Sequence, residues 1–401
     1  MKHLVIIASG MTDLPCAERD NRTPLQLAET PNLSRALKEG RAGSFTSIPD
    51  GLAPGSDVSF LSLLGFDPKR HHAGPAFFEA AALGIPLGEG EIPLCLDFVH
   101  LQSSHNDMVM KDFTAGHLAN GDAKILLKAL EEQVVDAPVR FYAGSGYHNL
   151  MVIKSPPFEK LLSPPNELVG EGIRQFMPMG EEFKELVYVM NQAQIILHNH
   201  PYNRQRKAGG EDAVNSIWLW GNGRPGQLPS FHGTFGLRGS VVTASVLLKG
   251  MARSAGMNVV EVDGATGFAD THYAGKVSAA LEELKNTDVV FVHVGAAEEV
   301  SLKGNLDDKI LAIEDIDREL MGPLLEGARE RGDVRTLIAV NHLASVVQMK
   351  YSPDPVPFLV APSRQANGTL DKFDEQILQS GENRFEDGPS LMEAFFKNKI
   401  Q

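Results

Sequence analysis

The stretch LVIIASG at residues 4–10 decides how the chain begins to fold. An unbroken apolar run, Leu4–Ala8, is followed at once by a Ser-Gly pair. Such a run, ended by turn residues, is typical of a strand covered on both faces in a parallel sheet. Downstream, a Thr-Pro-Asn start signal and apolar residues at helical spacing predict a helix that ends at Gly40. Together the two elements form one β-loop-α unit.

The same alternation of buried strand and helix recurs in the second half of the chain. It predicts an α/β fold with a doubly wound, mostly parallel sheet that carries helices on both faces. Open sheets of this kind bind ligands at the carboxyl ends of their strands, so functional residues are expected in the loops there. The predicted strands are Ser240–Thr243, Val259–Val262, Val289–Val294 and Thr336–Val340, and the predicted helices are Ala244–Ala255, Lys276–Leu284 and Lys309–Glu330.

The middle of the chain has a different pattern and is predicted to form an inserted domain. Residues 124–154 contain one helical segment and a pair of strand-like segments, with proline-rich joints after them. We therefore expect a smaller α+β cap domain over residues 110–210. The core domain is then discontinuous and comprises residues 1–109 and 211–401.

Composition excludes several classes of function. The 401 residues carry 37 Lys and Arg against 51 Asp and Glu, and the resulting formal net charge of −14 argues against nucleic acid or an anionic membrane as a partner. The two cysteines, Cys16 and Cys95, cannot make a disulfide framework and fit a reducing compartment. The first apolar run is too short for a signal peptide or a membrane span, so we expect a cytoplasmic protein.

The loop Ala53–Val58 is the most informative candidate for chemistry. It is a Pro-Gly turn that presents Ser56 just before an apolar helical stretch, Phe60–Leu64. A serine at a helix amino terminus can meet an incoming anion with its hydroxyl and the nearby N–H groups. The alternative is that Ser56 is only the N-cap of the helix, which is the commoner role of serine there.

The residues around Ser56 also resemble a known family. Ala53–Val58 with Leu61–Pro68 is similar to the nucleophile segment of archaeal-type, cofactor-independent phosphoglycerate mutases, which belong to the alkaline phosphatase superfamily. The resemblance covers nearly the whole chain and implies an alkaline phosphatase-like core with an inserted cap. Further matching segments are Arg22–Leu25, Glu29–Asn32, Thr114–His117, Asn215–Gly221, Leu228–Phe231, Gly264–Gly267, Ala312–Asp315 and Asp354–Phe358.

This resemblance implies a two-metal mechanism. A serine alkoxide, here Ser56, would take the phosphoryl group from one hydroxyl of a phosphoglycerate and return it to the other. Two Mn²⁺, Zn²⁺ or Mg²⁺ ions would lower the serine pKa and neutralise the transferring group, so their carboxylate and imidazole ligands are indispensable.

Most of the metal-ligand positions implied by the resemblance are altered in this chain. Ser56 and His342 are retained unchanged. Leucine cannot bind a metal ion, and an amide lacks the charge of a carboxylate. The altered positions are Ser9 for Asp, Glu298 for Asp, Leu302 for His, Asn341 for Asp and Tyr351 for His.

Positions that the resemblance assigns to the substrate are also changed. Two arginines are replaced by Pro75 and Cys95, and an Arg-His pair now begins with His148. Neither Pro nor Cys can make the charged, bidentate hydrogen bonds that Arg forms with a phosphate or carboxylate. The family segments that remain leave His117 and Lys276, together with His148, as candidate substrate-binding residues.

One oxygen-rich site for Mg²⁺ or Mn²⁺ could still be rebuilt from residues near the predicted strand ends. For Asp13, the alternative is a solvated loop carboxylate. His293 lies inside a predicted buried strand and is expected to be a hydrogen-bonded core histidine. The candidate metal ligands are Asp13, Asp57, Glu298, Asn341 and His342.

Three functional hypotheses follow from this pattern. The first is a degenerate mutase-like protein that binds no metal, or one divalent ion weakly, and keeps a cleft for a phosphorylated small molecule. The second is an active mutase or phosphatase with a reorganised metal site. The third is a binding or regulatory protein whose partner is an intact mutase paralog or a second copy of itself.

Overall fold

The structure is a computed structural model that describes residues 1–104, 107–156, 158, 160–223, 228–362, 370–381 and 383–400. The chain divides into two compact units. We call Met1–His72 with Gln227–Gln401 the core unit and Ala73–Gly226 the inserted unit. No helix among the described residues is both long and apolar enough to cross a membrane.

Strands and helices alternate along most of the chain. The strands of the described residues are β1 Lys2–Ala8, β2 Arg41–Phe45, β3 Glu91–Ser104, β4 Asp107–Asp112, β5 Val139–Ser145, β6 His148–Lys154, β7 Ser216–Trp220, β8 Gly239–Val242, β9 Asn258–Val260, β10 Val289–Val294, β11 Val334–Ala339, β12 Leu343–Ser345, β13 Lys350–Ser352, β14 Val356–Ala361 and β15 Arg384–Phe385. The helices are α1 Pro24–Leu27, α2 Pro31–Glu39, α3 Ser56–Leu63, α4 Pro68–His71, α5 Pro75–Ala82, α6 Asn120–Gln133, α7 Lys184–Asn199, α8 Pro201–Ala208, α9 Phe231–Phe235, α10 Val246–Ser254, α11 Tyr273–Glu283, α12 Ala296–Leu302, α13 Leu306–Asp315, α14 Gly322–Arg331 and α15 Gly388–Phe396.

The core unit is built on an eight-stranded sheet with the order β15-β2-β14-β11-β1-β10-β8-β9. Strand β1 lies in its middle and pairs in parallel with β10 on one side and β11 on the other. Strands β8 and β9 continue the parallel series, whereas β14 is antiparallel to β11. The predicted α/β class with a mostly parallel sheet is therefore confirmed.

Buried apolar side chains explain why these segments form the centre of the sheet. Leu4–Ala8, the run that opens the sequence, is fully buried within β1, and all of β10 is buried as well. Strands buried on both faces favour continuous Val, Ile and Leu, as seen here.

The predicted helix Lys309–Glu330 is a succession of three helical segments. Helix α13 passes into a π-helical segment, Ile316–Met321, and then into α14, which has a proline in its first turn. Proline lacks the N–H that a continuous α-helix would need, so the hydrogen-bond pattern changes at this point.

The inserted unit is larger than the predicted cap of residues 110–210. Strand β3, with 14 residues, is the central strand of its five-stranded sheet and pairs with β4, β6 and β7. Because these partners come from both sides of the predicted boundaries, the chain from Ala73 to Gly226 forms one compact unit. The boundaries at 110 and 210 therefore differ from those of the structure.

One buried carboxyl group of the core unit makes stability depend on pH. Glu375 accepts hydrogen bonds from the Thr23 hydroxyl (2.6 Å) and the Asp13 N–H (3.1 Å), and burial raises the pKa of its carboxyl to about 7. The pKa of this carboxyl group is higher in the folded state than in the unfolded state, so the group contributes its full stabilisation below the unfolded-state pKa. That contribution is lost as the pH rises through the folded-state pKa of about 7.

We expect Glu375→Gln to remove this dependence. The wild-type protein should lose up to about 3 kcal/mol of unfolding free energy relative to the variant between pH 4.5 and pH 8. Urea unfolding of both proteins across this range measures the difference, with the exposed Glu386→Gln as control. Parallel stability curves for wild type and Glu375→Gln would contradict the assignment.

Candidate functional site

The candidate site lies where β1, β10 and β11 end. In the parallel register, Ala8 pairs with Val294 and Ile7 pairs with Ala339, so the loops after all three strands begin at the same edge of the sheet. The side chain of Asn341 joins two of these loops, because its Oδ1 accepts the N–H of Gly10 at 3.2 Å.

Ser56 is the first residue of α3, and its side chain does not cap the helix. Gly55 occupies the N-cap position. The Ser56 hydroxyl instead donates to Glu298 Oε1 at 2.7 Å and lies 3.2 Å from His342 Nε2. The capping alternative is therefore wrong, and Ser56 belongs to a polar cluster with a carboxylate and an imidazole.

Glu298 and His342 are held by further contacts. Burial alone would raise the pKa of Glu298, but the His342 ring and hydrogen bonds from Ser56 and Tyr351 outweigh it and keep the pKa below its usual value. Burial lowers the pKa of His342, and Glu298 offsets this only in part. The Tyr351 ring packs against His342 with centroids 4.2 Å apart. At neutral pH the cluster therefore combines an ionised carboxylate with a neutral imidazole.

Asn341 cannot act as the carboxylate that the resemblance implies. Its Oδ1 accepts the N–H of His342 at 2.8 Å as well as that of Gly10, so both lone pairs are used. Its Nδ2 donates to Ser59 Oγ at 3.4 Å. A metal ion at this position would have to displace two backbone hydrogen bonds.

His293 is a hydrogen-bonded core histidine, as the sequence predicts. Its Nε2 lies 3.0 Å from Ser9 Oγ and its Nδ1 lies 2.9 Å from Thr243 Oγ1. The Phe60 ring packs against it in a T-shaped arrangement, with centroids 5.0 Å apart. Burial lowers the pKa of His293 to about 3, so the ring is neutral and both nitrogens are engaged.

The two aspartates predicted as metal ligands have other partners. Asp57 Oδ2 contacts His72 Nε2 at 2.5 Å, and its Oδ1 accepts the N–H of Val58. Asp13 forms a fully buried ion pair with Lys309 at 2.8 Å. Lys309 Nζ also donates to two backbone carbonyls, and Asp13 accepts two backbone N–H groups, so this pair is fully hydrogen-bonded.

The donors next to Ser56 do not fit a pair of metal ions. In the part of the chain that the structure describes, the Ser56 hydroxyl hydrogen-bonds to one carboxylate, Glu298, and one imidazole, His342. Among the described residues, the core unit holds no group of three or more His, Cys, Asp or Glu side chains whose donor atoms come close enough to share an ion. Two ions in a mechanism of that kind need several carboxylate and imidazole ligands each.

The predicted substrate-binding residues fall in different units. Lys276 is buried in the core unit, where its Nζ donates to the carbonyl oxygens of His293 (3.3 Å) and Thr266 (3.4 Å), and burial lowers its pKa to about 8. His117 is exposed in the inserted unit and has a left-handed backbone, with φ of 53°. His148 is also in the inserted unit, where it forms part of a second polar cluster.

Sequence reasoning missed two features of these sites. The sequence alone indicates only that Tyr351 replaces a histidine, yet its hydroxyl is a hydrogen-bond partner of Glu298. Glu79 carries no recognisable signal in the sequence, although it contacts His148 in the inserted unit. The signal for the second cluster was the spacing of Cys95 and Asp97, which point to the same side of a strand because they are two residues apart.

These features define a class of protein. Ser56 lies at the amino terminus of a helix, beyond the carboxyl edge of a mostly parallel sheet, which is the edge where α/β proteins bind their ligands. A sequence profile described as 2,3-bisphosphoglycerate-independent phosphoglycerate mutase matches residues 38–203.

Relatives extend this match to the whole chain. A protein of Geobacter sulfurreducens named "Probable 2,3-bisphosphoglycerate-independent phosphoglycerate mutase" is 38% identical over 98% of this chain and 99% of its own. A mutase of Methanothrix thermoacetophila is 38% identical over 95% and 96% of the two chains. The chain therefore belongs to the 2,3-bisphosphoglycerate-independent phosphoglycerate mutase family, which confirms the resemblance.

Solved structures agree with this assignment. A protein from Pyrococcus horikoshii superimposes with a TM-score of 0.79 and 25% identity over 100% of this chain and 98% of that chain. The cofactor-independent phosphoglycerate mutase from Thermoplasma acidophilum gives a TM-score of 0.59 and 26% identity over 99% and 100%.

We expect the Asp13–Lys309 pair to be a structural element rather than part of a metal site. Lys309→Met leaves a buried carboxylate without its counter-charge and should lower the unfolding free energy by about 3–5 kcal/mol. The control is Lys303→Met, since Lys303 is exposed and should change stability by less than about 0.5 kcal/mol. Equal midpoints of chemical unfolding for the two variants would refute this role.

Proposed function

We propose that this protein is a member of the family that has lost metal-dependent phosphoryl transfer at Ser56. The observation that carries the proposal is the state of the donors around the serine. Asn341 Oδ1 is saturated by two backbone N–H groups, and Glu298 is the one carboxylate of the described residues that hydrogen-bonds to Ser56.

The charge of the cluster supports the same proposal. An ionised Glu298 beside the Ser56 hydroxyl repels the oxygens of an incoming phosphate when no cation lies between them. Its lowered pKa also makes Glu298 a weak base for removing the serine proton. Losing even a few kcal/mol of charge stabilisation in the transition state costs several orders of magnitude in rate.

Glu298 and His342 can still supply two ligands to one weakly held Mg²⁺ or Mn²⁺, with Ser56 Oγ next to both. Such an ion would reduce the repulsion of a phosphate without rebuilding a binuclear centre. The remaining role in this proposal is the binding of a phosphorylated small molecule. An intact mutase paralog or a second copy of the chain stays a predicted partner.

Interconversion of 2- and 3-phosphoglycerate is the second candidate function. It is favoured by the names of relatives that are 38% identical over nearly the full length. The two candidates differ in one measurable property, which is metal-dependent turnover through Ser56.

We expect no mutase activity above background with Mn²⁺, Zn²⁺ or Mg²⁺, and no difference between the wild-type protein and Ser56→Ala. A coupled assay measures this, with the relative from Methanothrix thermoacetophila, which is named as a mutase, as positive control. Metal-dependent turnover that is abolished in Ser56→Ala would overturn the proposal and establish the second candidate.

A variant with the implied metal ligands restored tests whether their replacement explains the proposed loss of metal binding. We expect Ser9→Asp, Leu302→His, Asn341→Asp and Tyr351→His together to create Mn²⁺-dependent stability. At a concentration about 100-fold above the Kd, Mn²⁺ should raise the melting temperature of the restored variant by about 5 °C or more relative to the parent. Thermal unfolding with and without Mn²⁺ gives the comparison. Shifts of the same size in both proteins would show that these four positions do not decide metal binding.

A further inference from the structure

A second cluster of polar side chains lies inside the inserted unit, with no contribution from Ser56 or its neighbours. Glu79 belongs to α5, Cys95 and Asp97 belong to β3, and His148 is the first residue of β6. In the antiparallel pairing of β3 with β6, Asp97 lies directly opposite His148. Strand pairing and the packing of α5 on β3 therefore bring four chemically active side chains together.

Three of these side chains converge on one point. His148 Nε2 lies 2.7 Å from Glu79 Oε2, and Cys95 Sγ lies 3.9 Å from the same oxygen. The imidazole nitrogen, the thiol sulfur and the carboxylate oxygen all lie within 4.8 Å of one another. Bond lengths to zinc of about 2.0–2.3 Å place tetrahedral ligands about 3.3–3.7 Å apart, so shifts of about 1 Å or less would suffice.

Asp97 fixes the orientation of His148. Its Oδ1 contacts His148 Nδ1 at 2.5 Å, and its Oδ2 accepts the indole N–H of Trp220 at 2.9 Å. Because Nδ1 is held by this carboxylate, Nε2 is the nitrogen that points to Glu79 and Cys95. A carboxylate behind a histidine is the usual support for a metal-binding imidazole, since it sets the tautomer and raises the basicity of the ligand nitrogen.

The cluster of Glu79, Cys95 and His148 is bordered by buried apolar residues on the Cys95 side and is accessible to solvent on the His148 side. Cys95 is 0% exposed and packs with apolar residues that include Ala76 and Leu150. The His148 side chain is 25% exposed, whereas that of Glu79 is 10% exposed. An ion could therefore enter from the His148 side and keep a fourth position for water or another ligand, as open zinc sites do.

We propose that Glu79 Oε2, Cys95 Sγ and His148 Nε2 form a binding site for one divalent transition-metal ion of the zinc type, with Asp97 as the positioning residue. Thiolate and imidazole donors favour Zn²⁺ or Co²⁺ over Mg²⁺ and Ca²⁺. On binding, the Cys95 thiol, and His148 Nε2 where it is protonated, release their protons to solvent, and bonds from the ion to Glu79, Cys95 and His148 replace three of its bonds to water. The argument for this metal site does not rest on the function proposed for Ser56.

Cobalt is the probe that tests the assignment, because a Co²⁺–thiolate bond gives a near-ultraviolet charge-transfer band. Adding Co²⁺ to the reduced, metal-free full-length protein should produce this band with a stoichiometry of one, and Zn²⁺ should abolish it. The Ser56 cluster has no sulfur donor, so binding there gives no such band. The band therefore tests the Cys95 site alone, whether or not the function proposed for Ser56 is correct.

Matched variants identify the ligand. Cys95→Ser should remove the band, whereas Cys16→Ser should keep it, because Cys16 is the other cysteine of the chain and lies in the core unit. Asp97→Asn should retain the band but weaken Co²⁺ binding about 10–100-fold. His148→Gln should weaken it further, which provides a second test if Cys95→Ser does not fold.

A metal-free network of His148 with its two carboxylates is the competing outcome. In that case wild-type protein with a free Cys95 thiol gives no charge-transfer band at millimolar Co²⁺, and the proposal is wrong. It is equally wrong if the band survives Cys95→Ser or disappears in Cys16→Ser. Circular dichroism of each variant confirms that it is folded.

Discussion

The parallel pairing of β1 with β10 and β11 is the constraint on which the core unit depends. Strand β1 is buried on both faces, so its register with both neighbours is fixed by side-chain packing. Three loops consequently start at one edge of the sheet. Ser9, Glu298 and His342 come from these three loops, and α3 brings Ser56 to the same edge. Residues hundreds of positions apart become hydrogen-bond partners because the strands that precede them are adjacent.

Much of the fold could be predicted because its strands and helices coincide with continuous apolar or amphipathic segments of the sequence. The buried strands at Leu4–Ala8 and Val289–Val294 and the helix near Ala244–Ala255 are continuous apolar or amphipathic segments, and they recur in the structure almost unchanged. The cap boundaries could not be predicted in the same way. Strand β3 looks like a strand of any sheet, and its membership of the inserted unit follows from its pairing with β6 and β7.

The candidate site was predictable in position but not in bonding. Ser56 stands out in the sequence, yet nothing local shows that Glu298 accepts its hydrogen bond. The position of Asp13 after β1 predicts a metal ligand, but its charge is matched by Lys309, 296 positions away. A sequence shows which side chains can bind an ion. Whether their oxygens are still available depends on hydrogen bonds between distant segments.

The two polar clusters differ in which groups occupy the atoms that could bind an ion. Around Ser56, backbone N–H groups saturate the amide oxygen of Asn341, and hydroxyl groups occupy both nitrogens of His293. In the inserted unit both nitrogens of His148 are also engaged, Nδ1 by Asp97 and Nε2 by Glu79, but Glu79 is a carboxylate that can bind an ion together with Nε2. The partners of the His293 nitrogens are hydroxyl groups, whereas the partner of His148 Nε2 is a carboxylate. The two clusters therefore differ in the type of hydrogen-bond partner rather than in the number of polar groups.

The burial of both cysteines has a practical consequence for spectroscopy. Cys16 is 3% exposed and Cys95 is 0% exposed, and burial raises the pKa of both thiols. Thiolate is the form that reacts with alkylating probes, so the native protein should be almost inert to them. A cysteine introduced at an exposed position of either unit would then be the principal labelling site. Pairs of such labels, one in each unit, could report the distance between the units in solution without removal of a natural residue.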